Sequence, residues 1–126
     1  FFAPKRGFSE AEIAHFMTVD FVNHVALVAV VEAAGVRQIV GAGRYIVSQP
    51  GTAEVAFGVD DEHQGLGIAS ALMRHLVAIA RAAGLETLNA EVLAENAPML
   101  RVFEKSGLEL ATTSERGTRH VTLRLH

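Results

Sequence analysis

The chain has 126 residues, half of them hydrophobic, with 14 acidic against 11 basic side chains and a formal net charge of −3. A single core of this size buries roughly two thirds of the unfolded surface and leaves no material for a second domain within these residues. Scattered basic residues under a net negative charge exclude a nucleic-acid backbone binder, which needs clustered Lys and Arg. With no cysteine, disulfides, thiolate metal sites and a cysteine acyl-enzyme are excluded too, and the composition accords with a reducing cytoplasm. No signal-peptide pattern opens the chain. The longest apolar run, 25–31, falls far short of the roughly 20 residues that span a bilayer, so a soluble domain is expected.

In chain order, Ser9 and Glu12 have the spacing of a capping box and predict a short helix to about Phe16. Residues 25–33 and 38–47 are β-branched runs on either side of Ala34-Gly35, which predicts an antiparallel hairpin. Gln49-Pro50-Gly51 turns into a further strand over 53–59. A long helix follows, with Ala69, Leu72, Met73, Leu76, Ala80 and Ala83 at helical spacing toward the sheet, Arg74, His75 and Arg81 directed elsewhere, and Gly84 as its stop. Strand 86–93, helix 97–105 and strands 108–114 and 118–125 complete a mixed α/β fold, helices packed on the faces of one sheet.

The junction of strand 53–59 with the long helix has the chemistry of an anion site. Over Gln64-Gly65-Leu66-Gly67-Ile68-Ala69-Ser70, two glycines allow a tight turn and close approach of a ligand. The unpaired amides and dipole of the helix's first turn then favour negative charge. Neither the dinucleotide glycine fingerprint nor the P-loop pattern is present. What fits is Q-x-x-G-x-A, a form of the signature with which the GNAT superfamily of N-acetyltransferases grips the pyrophosphate of acetyl-CoA. The resemblance runs from Ala53 to Leu108, through AEVAFGV, DDEHQGLGIASALMRHLVAIARAAG, TLNAEVL and NAPMLRVFEKSGL. More narrowly, SEAEIAHFMTVDFVNHVALVAV and EVLAENAPMLRVFEKSGL resemble bacterial protein lysine acetyltransferases that modify acyl-CoA synthetases.

The resemblance implies the GNAT fold, here without the first strand and most of the first helix. A larger protein with a fused regulatory domain is then expected, with one sheet edge either open or filled by other residues. It also implies acetyl-CoA as cosubstrate, no metal, and pyrophosphate contacts along Gln64–Ser70. Asn96, which opens the second helix, is either a CoA contact or only an N-cap. The backbone amide at Val59 is expected to polarise the thioester carbonyl.

Attack by a lysine needs the neutral amine, and deprotonating a group of pKa near 10.4 at pH 7 costs about 4.6 kcal/mol, so a general base is expected. Glu54 is the candidate. It alternates with Ala56 and Gly58 on one face of its strand, leaving room for substrates, and matches the catalytic glutamate of related histone acetyltransferases. Apolar surroundings would raise its pKa toward a useful value. Where many members carry a tyrosine to protonate the leaving thiolate, this chain has Phe103, and its one tyrosine, Tyr45, lies elsewhere. Phe103 is therefore expected only to pack on the cofactor, a thiol of pKa near 8.5 leaving fairly well unassisted.

His15, His24, His63, His75, His120 and His126 lack metal-type spacing. His24 and Asp20 precede a strand where relatives bind substrate. Asp60-Asp61-Glu62 reads as a solvated turn or, less simply, as an attractor of basic acceptors. Three functions stay open: acetylation of a protein lysine, acetylation of a small amine or amino acid, and CoA binding by an inactive regulatory module.

Overall fold

In a computed structural model, residues 11–20, 23–60 and 67–126 are described, 11–20 as backbone only. The elements are β1 (Ala11–Asp20), β2 (His24–Ala33), β3 (Val36–Gln49), β4 (Thr52–Val59), α1 (Ile68–Ala82), β5 (Thr87–Leu93), α2 (Ala97–Glu104), β6 (Glu109–Glu115) and β7 (Thr118–Arg124). They form one sheet of 7 strands in the order β1-β2-β3-β4-β5-β7-β6. Only β4 and β5 run parallel, because α1 carries the chain back between them as a crossover.

The expected helix over 9–16 is a strand instead. From Ala11 to Asp20 the chain pairs antiparallel with β2, Ala11 opposite Val31 and Asp20 opposite His24, while Ser9 lies outside the described residues. A capping pattern is a weak local preference, and Ile13, Phe16, Thr18 and Val19 serve a strand equally well. The exposed N–H and C=O groups of the β2 edge decide the competition. The β2–β3 hairpin forms as expected, Ala34 and Gly35 both taking positive φ, 54° and 80°, the pair of values that a two-residue turn matched to strand twist requires.

Helix α1 buries Ile68, Ala71, Leu72, Met73, Leu76, Val77 and Ala80 against Val25, Leu27, Val40, Tyr45 and Val55 of the sheet. Of the expected stripe, Ala69 is only half buried and Ala83, the C-cap, is exposed. The helix begins at Ile68, which rotates its apolar arc toward positions 68, 71 and 77. Gly84 follows the cap with φ 84°, as its stop role requires. Arg81 Nε donates to the Leu125 carbonyl at 2.7 Å, fastening the helix end to the segment after β7. Close approach of α1 to β3 depends on Gly43: a Cβ there would sit 2.7 Å from Phe57 Cδ1 and 3.2 Å from Leu76 Cδ1.

Tyr45 is fully buried, and its hydroxyl has no hydrogen-bond partner among the described residues. Burial pushes its pKa above the usual 10.0. Above pH 10 the unfolded chain therefore releases this proton while the folded chain keeps it, so stability falls as pH rises from 10 toward the folded value. Tyr45→Phe is expected to be neutral or stabilising by up to about 1 kcal/mol at pH 7, since it removes an unsatisfied hydroxyl. It should also flatten the alkaline loss. Urea unfolding at pH 7 and pH 10.5 checks both, and a clear destabilisation at pH 7 would reveal a partner for the hydroxyl.

Candidate active site

Gly67 caps α1 in the left-handed conformation, φ 86° and ψ 7°, with no side-chain cap. The first helical bond runs from the Ala71 N–H to the Gly67 carbonyl at 3.0 Å. The amides of Ile68, Ala69 and Ser70 thus precede the ladder, and the helix itself cannot satisfy them. Gln64, Gly65 and Leu66 lie outside the described residues. The 67–70 turn, Phe57, Gly58 and Val59 on β4, and one side of α2 line a cleft of about 390 Å³. Arg101 and Lys105, one helical turn apart, also line it, and no carboxylate does among the described residues. Backbone donors, the α1 dipole and two cations therefore act in the same sense, favouring a multiply charged anion.

Asn96 is the N-cap of α2, its Oδ1 accepting the Met99 N–H at 3.3 Å, and it also lines the cleft. Phe103 does not line it. The ring is 2% exposed and packs at 51° to Phe57, centroids 5.9 Å apart, so it supports the cleft wall from behind. A Cβ on Gly67 would meet nothing within 4 Å; the cost of replacing this residue comes from its positive φ and from the space a ligand would use. Gly67→Val is expected to weaken CoA binding by tenfold or more while lowering stability by about 1–2 kcal/mol. Calorimetric titration with CoA measures it, and wild-type affinity would refute the anion-site assignment.

The cleft continues into a split in the sheet. β4 and β5 pair only over Thr52↔Thr87, Ala53↔Leu88 and Glu54↔Asn89, although β4 runs on to Val59 and β5 to Leu93. The Asp60 N–H donates to the Val40 carbonyl at 2.8 Å, and the β3–β4 register is unbroken from Gly41↔Val59 to Val47↔Ala53. Amides of Ala56 and Gly58 therefore point to β3, and those of Phe57 and Val59 point into the split.

Glu54 is the last β4 residue to pair before the strands part. Its strand alternates as expected: Ala53 and Val55 are buried, Glu54, Ala56 and Gly58 exposed. The carboxylate is consequently open to solvent, not enclosed by apolar neighbours. It lies on the sheet face away from α1, in a groove of about 460 Å³ that also takes Arg44 and Ile46 from β3, Ala56 from β4, Asn89 and Glu91 from β5, and His120 from β7. His120 stands 3.7 Å from Glu91 and 3.7 Å from Glu115. Arg44, Glu91, Arg101 and Lys105 carry no motif that sequence reasoning singles out, and His120 stands out there only as a histidine without metal-type spacing. Two-residue alternation places Glu91 on the face of Asn89, but only the order of strands in the sheet brings β3, β5 and β7 residues around Glu54.

His24 is partly buried at the start of β2, opposite Ile46. Asp61, Glu62 and His63 lie outside the described residues. No His, Asp or Glu group arranged for a metal occurs among the described residues, and no helix among them is long and apolar enough to cross a membrane.

A sheet splayed between two parallel strands, a helix terminus with amides ahead of its ladder on one side of the split and a carboxylate at its apex form the arrangement expected of the acyltransferases that the sequence resembles. The acetyltransferase (GNAT) family model matches residues 4–108, and the chain belongs to that family. It is 35% identical over 92 residues to acetyltransferase PA5475 of Pseudomonas aeruginosa, which covers 72% of this chain and 50% of that protein. To acetyltransferase Pat of Mycolicibacterium smegmatis it is 32% identical over 101 residues, 79% of this chain and 30% of Pat. The chain thus spans half or less of these curated relatives. Among solved structures, the GNAT domain of S. lividans PAT superposes with a TM-score of 0.72 at 35% identity, over 86% of this chain and 65% of that one.

Proposed function

We propose that this chain transfers the acetyl group of acetyl-CoA directly to the ε-amine of a protein lysine within a ternary complex. The observation that carries the reading is the β4–β5 split, with the cationic cleft opening on one side and Glu54 at its apex on the other. Acetyl-CoA supplies an activated thioester; the residues that would hold it are the 67–70 amides for the pyrophosphate, with Arg101 and Lys105 adding positive charge. The amide of Phe57, directed into the split, serves as a donor to a developing oxyanion, and the family resemblance assigns the same role to the Val59 amide. Glu54 accepts the proton of the attacking ammonium and so supplies the neutral amine. Phe103 offers no proton, and the leaving thiolate departs without a phenol.

An open, exposed groove bearing Arg44, Glu54 and Glu91 suits a segment of a protein surface better than a small closed pocket would. Resemblance to bacterial protein lysine acetyltransferases makes an AMP-forming acyl-CoA synthetase the first acceptor to test, in a cytoplasmic setting and with a fused regulatory domain in the whole protein. The test is CoA release from acetyl-CoA with a purified acetyl-CoA synthetase beside a panel of free amines, followed by mass spectrometry of the acceptor. One acetylated synthetase lysine establishes the reading. Turnover of free amines alone moves the acceptor class to small molecules, and CoA binding without turnover identifies a regulatory module.

A further inference from the structure

Among the described residues, Arg44 is a cation of the Glu54 groove that takes part in no ion pair. It projects from β3 on the exposed face, with Ala26 of β2 directly opposite on one side and Ala56 of β4 on the other, so no carboxylate lies directly opposite it on either adjoining strand. Among the described residues of this face, His120 lies 3.7 Å from both Glu91 and Glu115, and Arg124 pairs with Glu109. Glu54 faces Ile46, two residues further along β3, which makes Arg44 and Glu54 diagonal neighbours, a separation of roughly 7–8 Å between residues and somewhat less between Cβ atoms. No ion pair joins the guanidinium to Glu54 among the described residues, so it flanks the proposed general base with its donors uncommitted.

That spacing has a counterpart in an acceptor. In an extended peptide, residues i and i±2 point to the same side about 6.7 Å apart, while i±1 points away. We propose that Arg44 is a specificity-determining residue that holds a carboxylate two positions from the acceptor lysine, so that the preferred substrate is an extended segment with Asp or Glu at +2 or −2. The inference rests on the acetyl-transfer reading and names its acceptor class. A guanidinium holds a carboxylate through paired, charge-assisted N–H donors, and the exposed setting limits the gain to a modest factor.

The experiment uses peptides with one lysine and Glu or Gln at −2, +1 or +2, with kcat and KM read from CoA release. Wild type is expected to favour Glu over Gln about five- to tenfold in kcat/KM at one of the ±2 positions, through KM, as binding of a group remote from the reacting atoms predicts. Glu at +1 should give no such gain. Arg44→Gln brings the ratio to one, Arg44→Lys retains part of it, and Arg44→Glu reverses it in favour of a lysine-flanking Arg. A wild-type ratio of one overturns the proposal, as does a ratio that persists in Arg44→Gln. An Arg44-dependent preference for free amino acids over every peptide overturns it in favour of a small carboxylated amine. Absence of transfer to any acceptor by wild type removes the acetyl-transfer reading itself, and this inference with it.

Discussion

Glu54→Gln is expected to lower kcat by about 10²–10⁴ at neutral pH, the range that a positioned general base contributes, while acetyl-CoA affinity stays within about twofold. The reasoning is geometric. Glu54 sits at the end of the β4–β5 ladder, on the face opposite the cleft that the 67–70 turn and α2 line. An isosteric amide keeps the shape of the groove and leaves the cleft untouched, but it cannot take the ammonium proton. Residual turnover should then track the neutral fraction of the acceptor, rising tenfold per pH unit until the amine's own pKa near 10. Because the side chain is exposed, stability should change by less than about 0.5 kcal/mol, so lost activity is not lost fold. Steady-state rates from pH 6.5 to 9.5 decide the matter: wild-type turnover in the variant would remove Glu54 from the mechanism.

Gly43→Val is expected to lower stability by about 2 kcal/mol, a fall in Tm of roughly 6–12 °C for a domain of this size. A Cβ alone would approach Phe57 to 2.7 and 3.0 Å at two ring atoms and Leu76 to 3.2 Å. The Phe57 ring cannot simply swing aside, since Phe103 packs against it from a fully buried position. Relief must come from lifting α1 off the sheet or pushing Phe57 into the cleft it lines, so CoA affinity should fall together with Tm. Gly43→Ala should show a smaller version of both effects. Adding Phe57→Leu to Gly43→Ala should cost less than the two single changes summed, because the smaller side chain vacates the contested space. Strict additivity, measured by thermal unfolding of the four proteins, would place the strain elsewhere.

How much of this was legible without coordinates differs element by element. Periodicity over short windows settled the β2–β3 hairpin, β4, α1, β5, α2 and the β6–β7 pair, because local burial pattern, turn residues and backbone preference all agree there. It failed over 9–16, where a capping pattern competed with pairing to the edge of β2, whose partners for this stretch, Leu27 to Val31, lie outside a short window. The exposed face of Glu54 was legible through alternation with two small residues, its proposed role through the family resemblance, and the start of α1 through Gly67. Phe103 was assigned to the cofactor because it takes the place of a family tyrosine; its burial against Phe57 is a packing outcome that depends on how α2 rests on β4.

The glycine turn that opens α1, the strand alternation that exposes Glu54 and the absence of a phenol on α2 follow from residue order alone, since each depends on neighbours within a few positions. The split that joins cleft to groove, the convergence of Arg44, Glu54, Glu91 and His120 from four strands, and the direction of the Phe57 and Val59 amides were decided only by the tertiary structure. Strand order, register and the point where β4 and β5 part are set by α1 and α2 packing on the sheet, and that balance is struck between residues distant in the chain.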